Sequence, residues 1–149
     1  MLLATVRFLA VILTGLALIA PGAHLFELSN KIGLPKEQYF VVQGIYNGWW
    51  MVGLLLPIAW LANLALAYVA RSDRMALMLA LAAATLIVIE LAILAIWTQP
   101  ANAATSNWTV QPDNWADLRQ QWEWSHAANA GVMLLAFCSA TAAALRSAS

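Results

Sequence analysis

Four long apolar stretches, separated by more polar segments, dominate the chain. They cover residues 2–20, 49–70, 75–97 and 127–145. Each contains one strongly polar residue, in chain order Arg7, Asn63, Glu90 and Asn129. A bilayer core of about 30 Å needs about 20 apolar residues in a helix, and a helix satisfies its own backbone in lipid. The pattern predicts an all-α fold, an integral membrane four-helix bundle that forms a single membrane domain over residues 1–149.

The composition narrows the classes of function. Hydrophobic residues make up 63% of the chain and charged residues 9%, whereas a soluble domain has about 25% charged residues. These values exclude an ordinary soluble enzyme and a disordered chain. Lys and Arg do not outnumber Asp and Glu, so we expect no nucleic-acid partner. The single cysteine, Cys138, excludes an internal disulfide and a Cys-x-x-Cys redox pair.

The first apolar stretch resembles a signal peptide in position but not in detail. It is longer than the apolar region of a usual signal peptide, and Ala20-Pro21-Gly22-Ala23 is a poor cleavage site. We therefore expect a retained membrane span.

The placement of Lys and Arg predicts the orientation, because basic residues accumulate in cytoplasmic segments. The short link between the second and third stretches carries Arg71 and Arg74, and Arg7 and Arg146 fall on the same side. Both termini are therefore predicted to be cytoplasmic, in a bacterial inner membrane. Residues 21–47 and 98–126 then lie on the outer side.

These outer segments are predicted to form a small extracytoplasmic cap. All tryptophans except Trp60 fall at or beyond the outer interface, where indole rings are favoured. We expect helices over residues 23–30 and 36–46, and an irregular segment over 98–114. Residues that recur every three or four positions share one face of a helix, and they are Trp115, Leu118, Trp122 and His126. This spacing predicts a long helix over 115–146.

The polar residues near the outer interface are the candidates for chemistry. His24 and Glu27 are three residues apart, and Glu123 and His126 repeat this spacing in reverse order. Glu-x-x-His turns supply the metal ligands of di-iron helical bundles. Glu90 lies inside the third span, where a carboxylate is costly unless it is paired, protonated or bound to a metal. The predicted ligands of a transition metal (Fe, Cu or Zn) are His24, Glu27, Glu90, Glu123 and His126.

Two other interpretations of the same residues stay open. Each histidine and its neighbouring glutamate can form a structural polar cluster without any ligand. Alternatively, His126, Glu123 and His24 are catalytic residues of a metal-free pocket and move protons. Arg119 lies one turn before Glu123 and is expected to neutralise its charge.

Several polar motifs follow one another along most of the chain. They are Ala23-His24-Leu25-Phe26-Glu27-Leu28, Gln43-Gly44-Ile45-Tyr46-Asn47-Gly48-Trp49, Pro100-Ala101-Asn102 and Trp115-x-x-Leu118-Arg119-x-x-Trp122-Glu123-x-x-His126. In these motifs the chain resembles the anthrone-oxygenase-like family of small four-span membrane proteins, mostly bacterial and of unknown function. The resemblance implies a four-helix membrane bundle and, from the fungal members, oxygenation of an anthrone to an anthraquinone. The candidate functional residues that the resemblance implies in this chain are His24, Glu27, Asn102, Trp122, Glu123 and His126.

The leading functional hypothesis is an oxidoreductase or oxygenase that takes a lipophilic, aromatic or quinone-like molecule from the lipid. The candidate substrate-binding residues are Trp122, Asn47, Asn102 and Asn129. The alternative is a non-catalytic accessory or assembly subunit of a membrane complex. A proton-conducting module that uses Glu90 is a third hypothesis. The expected partners are membrane lipid, a lipophilic small molecule, and either further copies of the chain or a larger membrane complex.

Overall fold

The computed structural model describes residues 1–146, and within this range it contains helices and turns but no strand. Four helical runs are long and apolar enough to cross a membrane, as the hydropathy pattern predicts: Leu2–Lys31, Trp50–Val69, Arg74–Ala104 and Trp115–Leu145. They pack against one another as a bundle. The all-helical prediction with four apolar spans is therefore confirmed.

The first run consists of two helices that continue into each other. Helix α1 covers Leu2–Ala17 and helix α2 covers Ile19–Lys31. Pro21 lies in the first turn of α2, where a missing backbone N–H is tolerated. The helix that was expected over residues 23–30 is thus part of α2, and the first span reaches further than its apolar stretch.

A second pair of elements crosses the end of the bundle and leads into the second span. Helix α3 covers Lys36–Gln43 and is followed by a 3-10 turn, Gly44–Tyr46. Gly48 has φ +89°, a left-handed conformation that side chains disfavour. Helix α4, Trp50–Gly53, then leads into helix α5, Leu55–Val69. Pro57 in the first turn of α5 explains why these two helices are separate.

The third run is longer than the sequence predicts. Helix α6 covers Arg74–Ile93, the π-helical segment Leu94–Thr98 follows, and helix α7 covers Gln99–Ala104. The expectation of irregular structure over 98–114 is wrong for its first seven residues. Pro100 lies at the start of α7, a position where proline fits a helix, and the residues that follow it have short side chains. Irregular backbone begins at Thr105, and residues 106–108 have positive φ.

The fourth run is helix α8, Trp115–Leu145, in agreement with the predicted helix over 115–146. Its small residues pack against those of α6, so that the two helices approach closely. The buried alanines of the two helices are Ala76, Ala80, Ala83, Ala84, Ala130, Ala136, Ala140 and Ala143. These buried alanines are used for packing inside the bundle.

Polar and ionic contacts between helices fix the middle and the basic end of the bundle. In the middle of the bundle, Asn63 Nδ2 donates to Thr14 Oγ1 at 2.8 Å and so links α5 to α1. At the end, Arg146 Nε lies 2.8 Å from Asp73 Oδ2, and Arg7 donates to the Arg146 carbonyl. The hydrogen bond from Arg146, with those from backbone N–H groups of α6, holds the pKa of Asp73 below its usual range.

Candidate functional site

The end of the bundle opposite Asp73 contains an aromatic cluster. Its buried members are Tyr39, Phe40, Ala101, Trp108 and Trp122. They come from α3, α7, the irregular segment and α8, so the cluster holds the connecting segments onto the bundle. Tyr39 and Trp108 meet edge to face with centroids 5.2 Å apart, a favourable geometry for aromatic rings.

The two histidines of the chain meet beside this aromatic cluster. His24 from α2 and His126 from α8 have ring centroids 4.2 Å apart. The indole of Trp122 lies 4.2 Å from the His126 ring and 4.8 Å from the His24 ring. The ring of Tyr46 also contacts His24, with centroids 4.5 Å apart. Packing of α2 against α8 therefore produces a histidine pair enclosed by aromatic rings.

A buried lysine connects the two glutamates that accompany the histidines. Lys31 Nζ lies 3.2 Å from Glu123 Oε1 and 3.5 Å from Glu27 Oε2. Lys31 also donates to the hydroxyl of Tyr46 at 2.9 Å, and Tyr46 donates to Glu27. The side chain of Lys31 is 3% exposed and that of Glu123 is fully buried, whereas that of Glu27 is 34% exposed. The network thus runs from a buried carboxylate to one that solvent reaches.

Two further polar residues complete the surroundings of Glu123. Tyr39 Oη donates to Glu123 Oε1 at 2.8 Å, and Gln43 Nε2 donates to the Tyr39 hydroxyl. Burial raises the pKa of Tyr39 well above its usual value, and the negative charge of Glu123 adds to this effect. The phenol therefore stays protonated and remains a hydrogen-bond donor to the carboxylate.

Arg119 does not neutralise Glu123, contrary to the sequence-based expectation. Its guanidinium donates to the carbonyl of Leu34 at 2.8 Å and lies 4.6 Å from the ring of Trp115. Lys31 is the ionic partner of Glu123 instead. Helical spacing places Arg119 near Glu123 on one helix, but α2 brings the lysine closer from outside that helix.

Asn102 accepts hydrogen bonds from two indoles. Its Oδ1 receives Trp122 Nε1 at 2.8 Å and Trp108 Nε1 at 3.2 Å. Because α7 continues the third span, Asn102 faces α8 across the bundle end. A second bond between these runs joins Thr98 and Ser125, whose hydroxyls lie 2.8 Å apart. Asn102 thereby fixes the orientation of the indole that covers both histidines.

These groups surround a cavity of about 910 Å³. Its polar lining includes His24, His126, Glu90, Gln43, Asn47 and Asn102. Four indoles also line it: Trp49, Trp50, Trp108 and Trp122. Ala17 and Leu56, members of the apolar cluster around Ile87, form its floor. The volume and the mostly apolar wall are typical of sites for small lipophilic ligands.

The five predicted metal ligands do not form one site. His24, His126 and Glu90 line the cavity, whereas Glu27 and Glu123 contact Lys31. Among residues 1–146, no group of three or more His, Cys, Asp or Glu side chains is arranged to hold a metal ion. The ammonium group of Lys31 occupies the position between the two carboxylates that a cation would need. These residues therefore do not fit the predicted transition-metal centre.

The predicted substrate-binding residues divide into two groups. Trp122, Asn47 and Asn102 line the cavity. Asn129 is fully buried, and neither its Oδ1 nor its Nδ2 has a hydrogen-bond partner among residues 1–146. It lies one turn after His126 in α8, outside the cavity lining. Of the predicted catalytic residues, His24 and His126 line the cavity, and Glu123 lies behind them with Lys31.

Sequence reasoning missed Lys31, Tyr39 and Tyr46 as parts of the site. Lys31 follows Glu27 by one helical turn. That spacing is the one signal in the sequence that could have found it. Tyr39 lies in α3, and its proximity to Glu123 depends on how α3 folds back over the bundle.

No family model, curated protein or solved structure matches the chain. The resemblance described above therefore stays a prediction, and any function proposed for the chain rests on the site itself.

Proposed function

We propose that the protein is an integral membrane oxidoreductase of the oxygenase type that acts on a flat lipophilic, aromatic or quinone-like molecule. The observation that carries this proposal is the contact between the rings of His24 and His126, 4.2 Å apart, in the wall of the cavity. Histidine is the side chain most often used as a general base. A histidine pair beside a large apolar cavity supports proton removal from a bound lipophilic substrate.

The cavity lining supports a flat aromatic ligand. Indole rings stack on aromatic ligands, and four of them line the cavity. Trp50 is also 73% exposed on the outer surface of the bundle. In the proposed membrane orientation, this residue marks the opening through which a ligand enters from the lipid. The substrate class proposed here is the one that the resemblance to anthrone-oxygenase-like proteins implies.

The proposed reaction oxidises a methylene group between two aromatic rings to a ketone. His126 or His24 removes a methylene proton, and the resulting carbanion forms a C–O bond with dioxygen. The peroxide takes up the proton, and loss of water with cleavage of the O–O bond leaves the carbonyl. One methylene compound and one dioxygen therefore give one ketone and one water. The methylene carbon supplies all the electrons that dioxygen gains, so no other reductant is needed.

A row of polar groups runs from beside the histidine pair to the surface, although no hydrogen bond joins Tyr46 to His24 within residues 1–146. The ring of Tyr46 contacts His24, and its hydroxyl donates to Glu27, which is partly exposed. In the proposed mechanism, protons exchange between the cavity and solvent along this row of groups. Glu123 acts as a positioning residue, because its contact with Lys31 holds α8 against α2 and so keeps the histidines together.

We place the protein in a bacterial inner membrane with both termini in the cytoplasm. Arg7, Arg71, Arg74 and Arg146 all lie at the end of the bundle that carries Asp73. The rule that basic residues stay in the cytoplasm supports this orientation. The cavity and the aromatic cluster then form the extracytoplasmic cap.

The test is oxidation of anthrone by the purified protein in detergent. Anthraquinone absorbance and oxygen uptake are measured for the natural protein, His24→Gln and His126→Gln, with protein-free micelles as background. Trp97→Phe, which changes an indole outside the cavity, is the matched control. We expect His126→Gln to lower the rate by about a hundredfold or more, the usual contribution of a general base, and Trp97→Phe to leave the rate unchanged.

Three results contradict the proposal. The first is a rate no higher than that of protein-free micelles, and the second is full activity in both histidine variants. The third is stoichiometric iron, copper or zinc in the purified protein that is lost, together with activity, in His126→Gln. That result assigns the oxidation to a metal centre and rejects the base mechanism.

A further inference from the structure

Glu90 is a buried carboxyl group without an assigned partner at the floor of the cavity. It lines the cavity, is 2% exposed, and its Oε2 has no hydrogen-bond partner among residues 1–146. A buried polar group without a partner is costly, which makes such a group a candidate for ligand binding. The mechanism proposed above does not use this residue.

The surroundings of Glu90 indicate where a ligand would reach it. Ile87, one turn earlier in α6, belongs to the apolar cluster with Ala17 and Leu56, and these two residues also line the cavity. Leu94 and Thr98 continue the same wall on the far side of Glu90. A ligand that enters beside Trp50 therefore meets apolar surface and one carboxyl group at the floor.

The backbone beside Glu90 supports a functional position. The α-helix changes to a π-helical segment at Leu94, one turn after Glu90. π-Helical turns inside α-helices are frequent at functional sites, because they displace side chains from the regular helical positions. Here the π-helical segment provides two of the residues in the cavity wall, Leu94 and Thr98.

We propose that Glu90 binds a hydrogen-bond donor of the ligand, a hydroxyl group on an aromatic ring, at the floor of the cavity. A carboxyl group accepts a hydrogen bond in either ionisation state. The last side-chain torsion of glutamate has a broad, roughly two-fold distribution, so either oxygen can face the cavity. The inference concerns the same cavity as the proposed function, but it requires binding only and not oxidation.

Binding of a naphthol and of its methyl ether tests this assignment. Both probes are flat and apolar, and neither has a methylene group to oxidise, so the measurement is independent of the proposed reaction. Quenching of tryptophan fluorescence in detergent gives the two affinities. Because a hydrogen-bonding site discriminates against a ligand that lacks the donor, we expect the natural protein to bind the naphthol about tenfold more tightly than the ether.

Three variants assign the preference to Glu90. Glu90→Leu should abolish it, and Glu90→Gln, which retains an acceptor oxygen, should keep part of it. Glu37→Gln, which alters an exposed carboxyl group outside the cavity lining, should leave it unchanged. The two probes partition differently into micelles. This difference is the same for every variant, so it cancels when the naphthol-to-ether ratio of affinities is compared between variants.

A stability measurement separates ligand binding from a structural role. If Glu90 serves the ligand, Glu90→Leu should unfold at the same or a higher temperature than the natural protein, because it removes an unpartnered carboxyl group. A fall in unfolding temperature indicates a structural role and overturns the proposal. An undiminished preference of Glu90→Leu for naphthol also overturns the proposal, because it would assign binding of the hydroxyl to Gln43 or His24. So does the absence of any naphthol binding by the natural protein. Selective binding without anthrone oxidation rejects only the proposed reaction.

Discussion

Lys31 Nζ lies 3.2 Å from Glu123 Oε1, and this contact joins α2 to α8 inside the protein. The lysine also contacts the hydroxyl of Tyr46 and lies 4.6 Å from the ring centroid of Trp122. A single ammonium group therefore connects both carboxylates of the site with the aromatic rings around the histidine pair.

Removal of this ammonium group is expected to destabilise the protein strongly. Lys31→Met leaves the buried carboxylate of Glu123 without its ionic partner, and breaking a buried pair in this way costs about 3–5 kcal/mol. The free energy of unfolding in mild detergent measures the loss. The double variant Lys31→Met with Glu123→Gln should recover much of it. Lys36→Met, which removes a lysine without a salt bridge in residues 1–146, should change little. Equal losses in the single and double variants would contradict the pairing.

The hydroxyl of Tyr46 is expected to matter for turnover more than for substrate binding. Tyr46→Phe keeps the ring beside His24 but removes the bond to Glu27, so it interrupts the proposed proton path. We expect kcat for anthrone to fall about tenfold, less than the loss from removing the base itself, with KM nearly unchanged. Tyr68→Phe, an exposed tyrosine at the other end of the bundle, is the control. An unchanged kcat would show that protons leave by another route.

Asn102 is expected to hold the two indoles through its carbonyl oxygen. Asn102→Ala leaves Trp108 Nε1 and Trp122 Nε1 without their acceptor, and each buried unpaired donor costs about 1–3 kcal/mol. Asn102→Asp keeps an acceptor oxygen and should retain most of the stability. Chemical unfolding in detergent compares the two variants. A loss in Asn102→Asp as large as that in Asn102→Ala would mean that the indole bonds contribute little.

Two glycines provide an internal comparison of backbone effects. Gly48 has φ +89°, so Gly48→Ala should cost about 1–2 kcal/mol of stability. Gly22 lies inside α2, and an added Cβ meets no atom within 4 Å. Gly22→Ala should therefore stabilise the protein by about 0.5–1 kcal/mol. Unfolding temperatures of both variants check the signs, and a stabilised Gly48→Ala would show that the turn is not strained.

The orientation is testable with single cysteines in a Cys138→Ala background. Ser72 lies in the short link at the basic end, and Gln111 lies in the irregular segment near the aromatic cluster; both are exposed. With an impermeant maleimide applied to spheroplasts, we expect Gln111→Cys to react and Ser72→Cys to react only after lysis. The reverse labelling pattern would place the termini outside.

Much of the fold follows from the hydropathy pattern, because a run of apolar residues long enough to cross a bilayer has few alternatives to a helix. The ends of helix α8 were predicted to within one residue, because residues of one helical face recur every three or four positions along it. The third span was predicted too short. Its extension to Ala104 passes Pro100, a residue that usually ends a helix, but α7 forms because Pro100 falls at its first turn.

The sequence by itself determined the four apolar spans, the basic end of the bundle and the spacing of each histidine from its glutamate. These features depend on residues close together in the chain, where helical geometry fixes which side chains are neighbours. Only the tertiary structure decided that Lys31 rather than Arg119 pairs with Glu123, that the two histidines meet, and that Glu90 lines their cavity. Those relationships depend on how each helix is rotated and where helices cross, and packing of small buried side chains along the whole bundle sets both.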